Sequence, residues 1–232
     1  MTSKILAIVP AYNEEENIVS TIEDLKSSAP GVDCVVIDDG SRDRTAAICR
    51  ERGYRCISLP VNLGLAGGFQ TGMKYALRHG YDYAIQFDAD GQHSAAYIEP
   101  MVEFARASNA NIVIGSRFCS QKRPLSPRMA GSVLISAIIR LTTGACIKDP
   151  TSGMRLFDKS MIPLFANELD YSPEPDTIAL VARNGAKVCE MEVEMRERAA
   201  GESYLTFTKS VSYMMRVCVS ILFAQWFRKG NR

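Results

Sequence analysis

The residues best suited to chemistry lie in the segment Phe87–His93, in which Asp88 and Asp90 are separated by one residue. Two carboxylates at this spacing can bind one divalent cation, and the small Ala89 and Gly91 leave space for a ligand. Mg²⁺ or Mn²⁺ held by few protein oxygens keeps coordination positions for a diphosphate, whose charge it neutralises. A solvated, aspartate-rich turn has the same composition, so the pair alone leaves both interpretations open.

Polar residues also follow two apolar runs near the N-terminus. Residues 5–9 are apolar and end at Pro10, with Tyr12 just beyond, and residues 34–37 are followed by Asp39 after Asp38. Short, continuous apolar runs are typical of strands buried on both faces of a parallel sheet. Because ligands of such sheets bind beyond the carboxyl ends of the strands, we expect Tyr12, Asp39 and Asp88 to converge on one crevice.

Strand and helix patterns alternate through the chain, which predicts an α/β fold with a mostly parallel sheet flanked by helices. After the first strand we expect a helix up to about residue 30, a helix at 45–52, a strand at 55–59, a helix after Gly68 and strands at 83–87 and 112–115. An apolar helix at 128–142 and a strand at 189–195 with one buried face follow. The pattern predicts one domain over residues 1–205 and a helical C-terminal segment, 206–232.

The amino-acid composition excludes several classes of protein. The 232 residues are 47% hydrophobic, enough for one sizeable core, and a net charge of +1 gives no reason to expect nucleic acid as a partner. Seven cysteines without a CxxC pair indicate neither a disulfide framework nor a zinc site and fit a reducing, cytoplasmic compartment. No signal peptide is expected, because the first apolar run is short and ends at a proline.

Four segments in order, Pro10–Glu14, Asp38–Thr45, Asn62–Gly68 and Phe87–His93, resemble the motifs of glycosyltransferase family 2. The resemblance implies a GT-A fold, a nucleotide-sugar donor and a divalent metal. It places Tyr12 against the base, Glu14 near the ribose, and Asp39 as acceptor of a hydrogen bond from an imide N–H such as that of uracil. The full nucleotide-binding set is Pro10, Ala11, Tyr12, Glu14, Asp39, Gly67, Asp88 and Ala89.

The same residues are also suited to helix N-termini. Asn13 or Ser41 could cap a helix, with Glu14 or Asp43 in its first turn, and capping is compatible with nucleotide binding. The glycines at 64, 67, 68 and 72 allow the backbone to approach a ligand closely, which is supporting evidence only.

Within the family, Asp88–His93 is most similar to the metal segment of dolichol- and polyprenyl-phosphate sugar synthases. This resemblance implies Asp88, Asp90 and Gln92 as metal ligands. His93 is expected to support the loop, because a lone histidine without a partner is weak evidence of catalysis.

The same subgroup binds a lipid phosphate through arginines, and this chain has arginines in comparable order. The implied acceptor-phosphate residues are Arg117, Arg128, Ser132, Arg198 and Ser203, and the implied catalytic set is Asp88, Asp90, Arg117, Arg128 and Arg198. A planar guanidinium can hold phosphate oxygens at two points.

Two departures from the subgroup pattern occur. Tyr204 stands where these enzymes usually have lysine, so that Arg196 or Lys209 would have to substitute for it. The segment Asp149–Arg155 resembles a family motif on the donor side of the cleft, with Met154 in place of an aromatic residue.

The acceptor could instead be a sugar hydroxyl, which needs a general base, whereas a phosphate is already anionic. Glu174 and Asp176 are the candidates for that base. Both also begin a predicted helix, where acidic residues are favoured, and this alternative is the preferred one.

The C-terminal segment combines apolar, aromatic and basic residues, but its uncharged part, 217–227, is too short to span a bilayer. From Met195 onward seven basic residues face two acidic ones, and 226–229 read Trp-Phe-Arg-Lys. We expect amphipathic helices on the membrane surface or against a small membrane protein, with a core helix as the alternative.

Together these features predict a metal-dependent, inverting glycosyltransferase acting at the inner face of the cell membrane. It would pass a sugar from a nucleotide sugar, preferably a UDP-sugar, to a polyprenyl phosphate for cell-envelope glycan synthesis. The alternatives are a transferase to a sugar hydroxyl in polysaccharide synthesis, and a non-catalytic nucleotide-sugar-binding or scaffold protein.

Overall fold

A computed structural model describes residues 3–120, 127–168, 171–196 and 207–224. One seven-stranded sheet forms its centre, in the spatial order β3-β2-β1-β4-β6-β5-β7. The strands are Ile5–Ala11 (β1), Asp33–Asp38 (β2), Cys56–Ser58 (β3), Tyr83–Gln86 (β4), Ile112–Ser116 (β5), Arg155–Asp158 (β6) and Val188–Glu192 (β7). All neighbours pair in parallel except β6, which is antiparallel to both β4 and β5.

Helices cover both faces of the sheet. They are Ile18–Ser28 (α1), Thr45–Glu51 (α2), Gly64–Arg78 (α3), Ile98–Ser108 (α4), Pro127–Thr143 (α5), Ile162–Asn167 (α6), Pro175–Arg183 (α7) and Phe207–Val219 (α8). A 3₁₀ turn at Ala95–Tyr97 precedes α4, and a short π-helix at Ser220–Ala224 continues α8.

The core has two parts because successive residues of β1 point to opposite faces of the sheet. Ala7 and Val9 pack on one face with residues of α1 and α4, while Leu6 and Ile8 pack on the other with Phe69 of α3. Burial on both faces explains why this strand reads as a continuous apolar run.

The predicted alternation of strands and helices is confirmed, with several differences. The short helix α6 was not expected, and the strand predicted at 189–195 ends at Glu192. Strand β6 was not expected, since its four residues begin with Arg155 and end with Asp158 and carry little strand signal of their own. Helix α3 begins at Gly64 and not after Gly68, so the predicted start was wrong.

The glycines of α3 serve packing within the fold. A Cβ on Gly72 would lie 2.2 Å from Cγ2 of Ile8, so α3 approaches β1 more closely than any larger residue would allow. A Cβ on Gly68 would be 3.7 Å from Pro10, an ordinary contact. Gly72 therefore serves helix–sheet contact, and a ligand is not needed to explain it.

Helix α8 packs against α5 and α7. Its buried residues Val217 and Cys218, and Ile221 just after it, belong to the same core as Leu6 and Phe69. The expected boundary between residues 205 and 206 lies outside the described residues. Within the described ranges, no helix is long and apolar enough to cross a membrane.

Candidate active site

A cleft of about 370 Å³ opens at the carboxyl end of β4. It brings together acidic, amide and basic side chains from loops that are far apart in the chain. Its lining consists of Leu65, Gln86, Asp88, Asp90, Gln92, His93, Arg117, Thr151, Ser152, Gly153, Arg155, Pro173, Glu174, Met195 and Tyr213. The predicted metal-site residues and Arg117 thus share one cavity.

The Asp88 carboxylate is held by neighbouring side chains at the end of β4. Gln86 donates from Nε2 to Oδ1 of Asp88 at 2.9 Å. The backbone N–H of Asp88 donates to Nδ1 of His93 at 2.9 Å, which leaves the proton of a neutral imidazole on Nε2, 3.6 Å from Oδ2 of Asp88. His93 is buried, and the expectation that it supports this loop is confirmed.

Backbone contacts fix the rest of the Asp88–Gln92 turn. The Thr21 hydroxyl donates to the Ala89 carbonyl at 2.9 Å, and the Gln92 N–H donates to Oδ1 of Asp90 at 3.1 Å. The Arg196 N–H donates to the Gln92 carbonyl at 2.9 Å. One of these bonds lies within the turn, and the other two tie it to Thr21 and Arg196, so its side chains are held at the cleft.

Gly153 sits directly against Asp88. A Cβ at this position would lie 2.3 Å from Oδ2 of Asp88 and 3.3 Å from Cε1 of His93. Any larger residue here would displace the Asp88 carboxylate from this position, so the segment Asp149–Arg155 is part of the site.

The residues present fit a hard divalent cation. Asp88, Asp90 and Gln92 offer two carboxylates and one amide oxygen to the same cavity. In the described ranges no group of three or more His, Cys, Asp or Glu side chains could hold a metal by itself. Ligand or water oxygens would therefore complete the coordination, as Mg²⁺ and Mn²⁺ usually require.

The loops after β1 and β2 are tied to each other. Oδ1 of Asn13 accepts from the Arg42 N–H at 2.8 Å, and the Asn13 N–H donates to the Ser41 hydroxyl at 3.0 Å. The Glu14 N–H donates to the Thr45 hydroxyl at 2.9 Å. Neither Asn13 nor Ser41 caps a helix, so that alternative was wrong. Helices α1 and α2 begin further on, and these side chains join the two loops instead.

Asp39 lies under the N-terminus of α3. Its two carboxylate oxygens accept the N–H groups of Leu63 and Gly64 at 2.7 and 2.8 Å, and the side chain is buried. A carboxylate stabilises the positive end of a helix dipole. Each oxygen keeps a second lone pair for a ligand donor, so the structural contact and the predicted base contact are compatible.

The predicted nucleotide-binding residues lie beside the cleft and, apart from Asp88, do not line it. Pro10 and Ala11 end β1, Tyr12 follows it, and the Asp39 N–H donates to the Ala11 carbonyl at 2.9 Å. Strands β1 and β4 are paired neighbours, so this group and Asp88 occupy the same edge of the sheet. Gly67 lies inside α3, facing Leu63.

Arg117 is fixed by a buried carboxylate. It donates from Nε and Nη2 to the two oxygens of Asp149 at 2.7 and 2.8 Å, a bidentate pair that also receives the Arg117 N–H. This partner raises the pKa of Arg117. Glu190 in turn accepts the N–H groups of Lys148 and Asp149, both at 2.6 Å. Asp149, itself fixed by Glu190, therefore orients the Arg117 guanidinium that lines the cleft.

Of the other residues predicted to contact the acceptor phosphate, only some lie within the described ranges. Ser132 is buried on α5, and its hydroxyl has no hydrogen-bond partner among the described residues. Arg128 belongs to α5, but its side chain, like that of Lys209 in α8, lies outside what is described. Arg198, Ser203 and Tyr204 lie outside the described residues altogether.

Arg196 has a different role from the one considered for it. It forms an ion pair with Asp24 at 3.2 Å and donates to the Ser94 hydroxyl at 3.3 Å. The backbone of Arg196 thus supports the Asp88–Gln92 turn, and its side chain already has a carboxylate partner.

The two candidate general bases, Glu174 and Asp176, differ in whether they line the cleft. Glu174 lines the cleft, makes no side-chain capping bond to α7, and lies 3.7 Å from Arg216. Burial is the main cause that raises its pKa, and Arg216 opposes the shift. Asp176 lies in the first turn of α7 and accepts from the Ser220 hydroxyl at 2.6 Å. Both residues lie at the N-terminus of α7, since Glu174 is its N-cap residue, but Glu174 alone of the two also lines the cleft.

Sequence reasoning missed Gln86 and Tyr213 as site residues, and it named Arg155 only as the end of the motif Asp149–Arg155, without a role of its own. Tyr213 enters the cleft from α8, where burial raises its pKa to about 12. Arg155 enters from β6, the strand that was not predicted. Gln86 stands two residues before Asp88, so its position at the end of a strand was the one available signal.

The chain matches the model of a known family over residues 6–163, described as glycosyl transferase family 2. The chain belongs to this family. It is a glycosyltransferase, and both the recognition of the family and the expected enzyme class are confirmed.

Two similar proteins transfer sugars to polyprenyl-type phosphates, according to their names. An undecaprenyl-phosphate mannosyltransferase of Micrococcus luteus is 31% identical over 221 residues, covering 88% of each chain. A UDP-N-acetylglucosamine–dolichyl-phosphate N-acetylglucosaminyltransferase of Methanococcus voltae is 28% identical, covering 82% of this chain and 84% of the relative. The similarity to polyprenyl-phosphate sugar transferases is thereby confirmed.

A solved structure gives the fold. Glucosyl-3-phosphoglycerate synthase of Mycobacterium tuberculosis, in complex with Mn²⁺, UDP and glucosyl-3-phosphoglycerate, superposes with a TM-score of 0.65 at 17% identity. The match covers 99% of this chain and 82% of that one. With the family match, it confirms the expected GT-A arrangement and its C-terminal helix.

Proposed function

We propose that this glycosyltransferase moves a sugar from a nucleotide sugar, preferably a UDP-sugar, to a polyprenyl phosphate with inversion. The single observation that carries the proposal is the common cleft of Asp88, Asp90, Gln92 and Arg117. Acidic residues that could hold a metal–diphosphate line the same cleft as a fixed guanidinium suited to a second phosphate. The names of the two relatives, which act on undecaprenyl and dolichyl phosphate, support the same acceptor class.

Asp88, Asp90 and Gln92 would hold a divalent metal, Mg²⁺ or Mn²⁺. When bound, that metal supplies charge neutralisation to the departing nucleoside diphosphate. The hydrogen bonds from Gln86 and from the Gln92 backbone keep the carboxylates oriented without reorganisation during the reaction. Tyr12 and Asp39 would receive the base at the ends of β1 and β2.

Arg117 would position the acceptor phosphate, with Arg128, Ser132, Arg198 and Ser203 as further contacts. A phosphate oxygen attacks the anomeric carbon while the bond from that carbon to the diphosphate oxygen breaks on the opposite side. No base is needed, since the phosphate is anionic near neutral pH. Because Asp149 fixes Arg117 on one edge, the remaining N–H groups are preoriented for the acceptor.

The test is transfer into lipid. The full chain is incubated with MnCl₂, undecaprenyl phosphate and, separately, UDP- and GDP-sugars, and the lipid fraction is analysed by mass spectrometry. We expect a glycosyl phospholipid with at least one UDP-sugar and none with Asp90→Asn. Equal turnover of Asp90→Asn would contradict the mechanism. No lipid product with any donor would contradict the acceptor class, and absence of any turnover would favour the non-catalytic scaffold.

Glu174 supports a second candidate function, transfer to a sugar hydroxyl in polysaccharide synthesis. It lines the cleft, and burial raises its pKa toward the range useful for a general base. This candidate requires Glu174 for turnover, whereas the phosphate acceptor does not.

We also propose that the protein acts at the inner membrane face, because its acceptor is a lipid. Met215, Val219 and Phe223 are 58%, 50% and 62% exposed and recur every four residues on the outer side of α8 and its continuation. This apolar stripe is suited to a lipid surface or to a small membrane partner.

A further inference from the structure

Arg155 is an unusual residue for the interior of a protein. It is 2% exposed, and its guanidinium donates to the carbonyl oxygens of Pro150, at 2.7 Å, and Pro173. Its Nε is fully buried and has no hydrogen-bond partner among the described residues. Two carbonyls therefore satisfy only part of a five-donor group.

The charge of Arg155 is also uncompensated at short range. The described part of the chain gives Arg155 no ion pair, although Asp88, Glu174 and Asp149 are close enough to act through space. Burial lowers the pKa of this guanidinium, but an arginine stays charged in proteins. A buried cation is costly unless it is paired, and the described residues place no carboxylate in direct contact with this guanidinium.

The place where an anion would bind is the floor of the cleft. Arg155 lines it, and Gln86, which donates to Asp88, is its direct cross-strand neighbour. Oε1 of Gln86 also has no hydrogen-bond partner among the described residues. Arg155 thus lies next to the residues that would hold the metal–diphosphate.

We propose that Arg155 binds a phosphoryl oxygen at the floor of this cleft. The inference rests on the proposed function, whose reaction brings two phosphates into this cavity. Either the donor diphosphate or the acceptor phosphate supplies the oxygen. The alternative is a purely structural arginine that joins the loops at Pro150 and Pro173.

The test compares Arg155→Lys and Arg155→Met with the wild type. Calorimetry with UDP and MnCl₂ measures the affinity for the donor diphosphate, and the KM for undecaprenyl phosphate tests binding of the acceptor phosphate. For Arg155→Met we expect at least about a tenfold loss either in UDP affinity or in KM for undecaprenyl phosphate, because a charged hydrogen bond of a buried side chain is lost. Arg155→Lys should recover part of it, and the exposed Arg44→Lys serves as control.

The measurement that changes identifies which phosphate Arg155 binds: a change in UDP affinity indicates the donor diphosphate, and a change in KM for undecaprenyl phosphate indicates the acceptor phosphate. Unchanged UDP affinity and unchanged acceptor KM in both variants would overturn the inference and leave the structural role. If instead the wild type binds no UDP and transfers no sugar, the proposed function fails first.

A measurement on the wild type covers the case in which both variants misfold. Crystals of the wild type are soaked with UDP and MnCl₂, and separately with undecaprenyl phosphate. We expect a phosphoryl oxygen within hydrogen-bond distance of an Arg155 nitrogen in one complex. Phosphoryl oxygens bound elsewhere in both complexes would overturn the proposal.

Discussion

At the scale of single residues, the chemistry depends on how closely other groups approach Asp88. Gln86 and His93 hold its carboxylate and its backbone, and Gly153 leaves the space that the carboxylate occupies. The position of this proposed metal ligand thus depends on a residue 65 positions further along the chain. This contact gives a direct way to disturb the metal site without removing a ligand.

Gly153→Ala tests that contact. Its Cβ would lie 2.3 Å from Oδ2 of Asp88, so the carboxylate has to move out of position. We expect Mn²⁺-dependent UDP affinity to fall by about tenfold or more, as for the loss of a charged contact. Calorimetry of UDP with MnCl₂ measures it. Gly31→Ala, whose Cβ would be 3.5 Å from Glu99, is the matched control, and equal affinity of both variants would refute the placement.

Glu174→Gln separates the two acceptor classes. With a phosphate acceptor, we expect kcat to stay within about threefold of the wild type, because no proton has to be removed. With a hydroxyl acceptor, kcat should fall by about a hundredfold or more.

The pH dependence gives the same distinction. Burial raises the pKa of Glu174, so a basic role would be lost on acidification at a higher pH than for an ordinary glutamate. A profile of kcat/KM against pH whose acid limb disappears in Glu174→Gln would contradict the phosphate acceptor. Retention of the same limb in the variant supports it.

At the scale of elements, α3 shows how a glycine-rich segment serves the fold. The helix lies against β1 through Gly72 and begins above Asp39, which binds its first N–H groups. The close contact keeps the start of α3 next to the ends of β1 and β2. The predicted nucleotide-binding loops are therefore positioned by helix–sheet packing.

Two substitutions in α3 should act in opposite directions. Gly72→Ala places a methyl group 2.2 Å from Cγ2 of the fully buried Ile8, and we expect a loss of about 1–3 kcal/mol in unfolding free energy. Gly68→Ala has space and should gain up to about 1 kcal/mol from helix propensity. Urea denaturation measures both. Similar values for the two variants would contradict the described packing.

At the scale of the whole molecule, α8 links the cleft to the outer surface. Its inner side buries Val217 and supplies Tyr213 to the cleft, and Arg216 pairs with Glu174. Its outer side exposes the apolar stripe of Met215, Val219 and Phe223. A deletion of the helix would open the core, so surface substitutions are the sharper test of membrane binding.

The triple variant Met215→Gln, Val219→Gln, Phe223→Gln should lose binding to vesicles. Each apolar side chain buried in lipid contributes roughly 1.5–3 kcal/mol, so we expect at least about a tenfold weaker partition. Flotation with vesicles containing anionic lipid measures it, with Leu77→Gln, exposed on α3, as control. Equal flotation of the triple variant and the wild type would contradict direct attachment, and failure of the wild type to float would favour a membrane partner protein.

The sequence by itself determined the family, the α/β class and the central strands. Ile5–Ala11 shows why: a strand buried on both faces needs a local run of apolar residues, and such a run is visible without any contact. The Asp88–His93 motif and Arg117 were equally visible, because their residue types and order are local properties of the chain.

Only the tertiary structure decided which side chains share the cleft and what each one contacts. The short strand β6 pairs antiparallel between β4 and β5, which brings Arg155 beside Gln86 and Gly153 against Asp88. The partner of Arg117, Asp149, and the entry of Tyr213 from α8 likewise depend on long-range packing. Such contacts arise from burial and pairing between distant segments, and no local spacing in the chain encodes them.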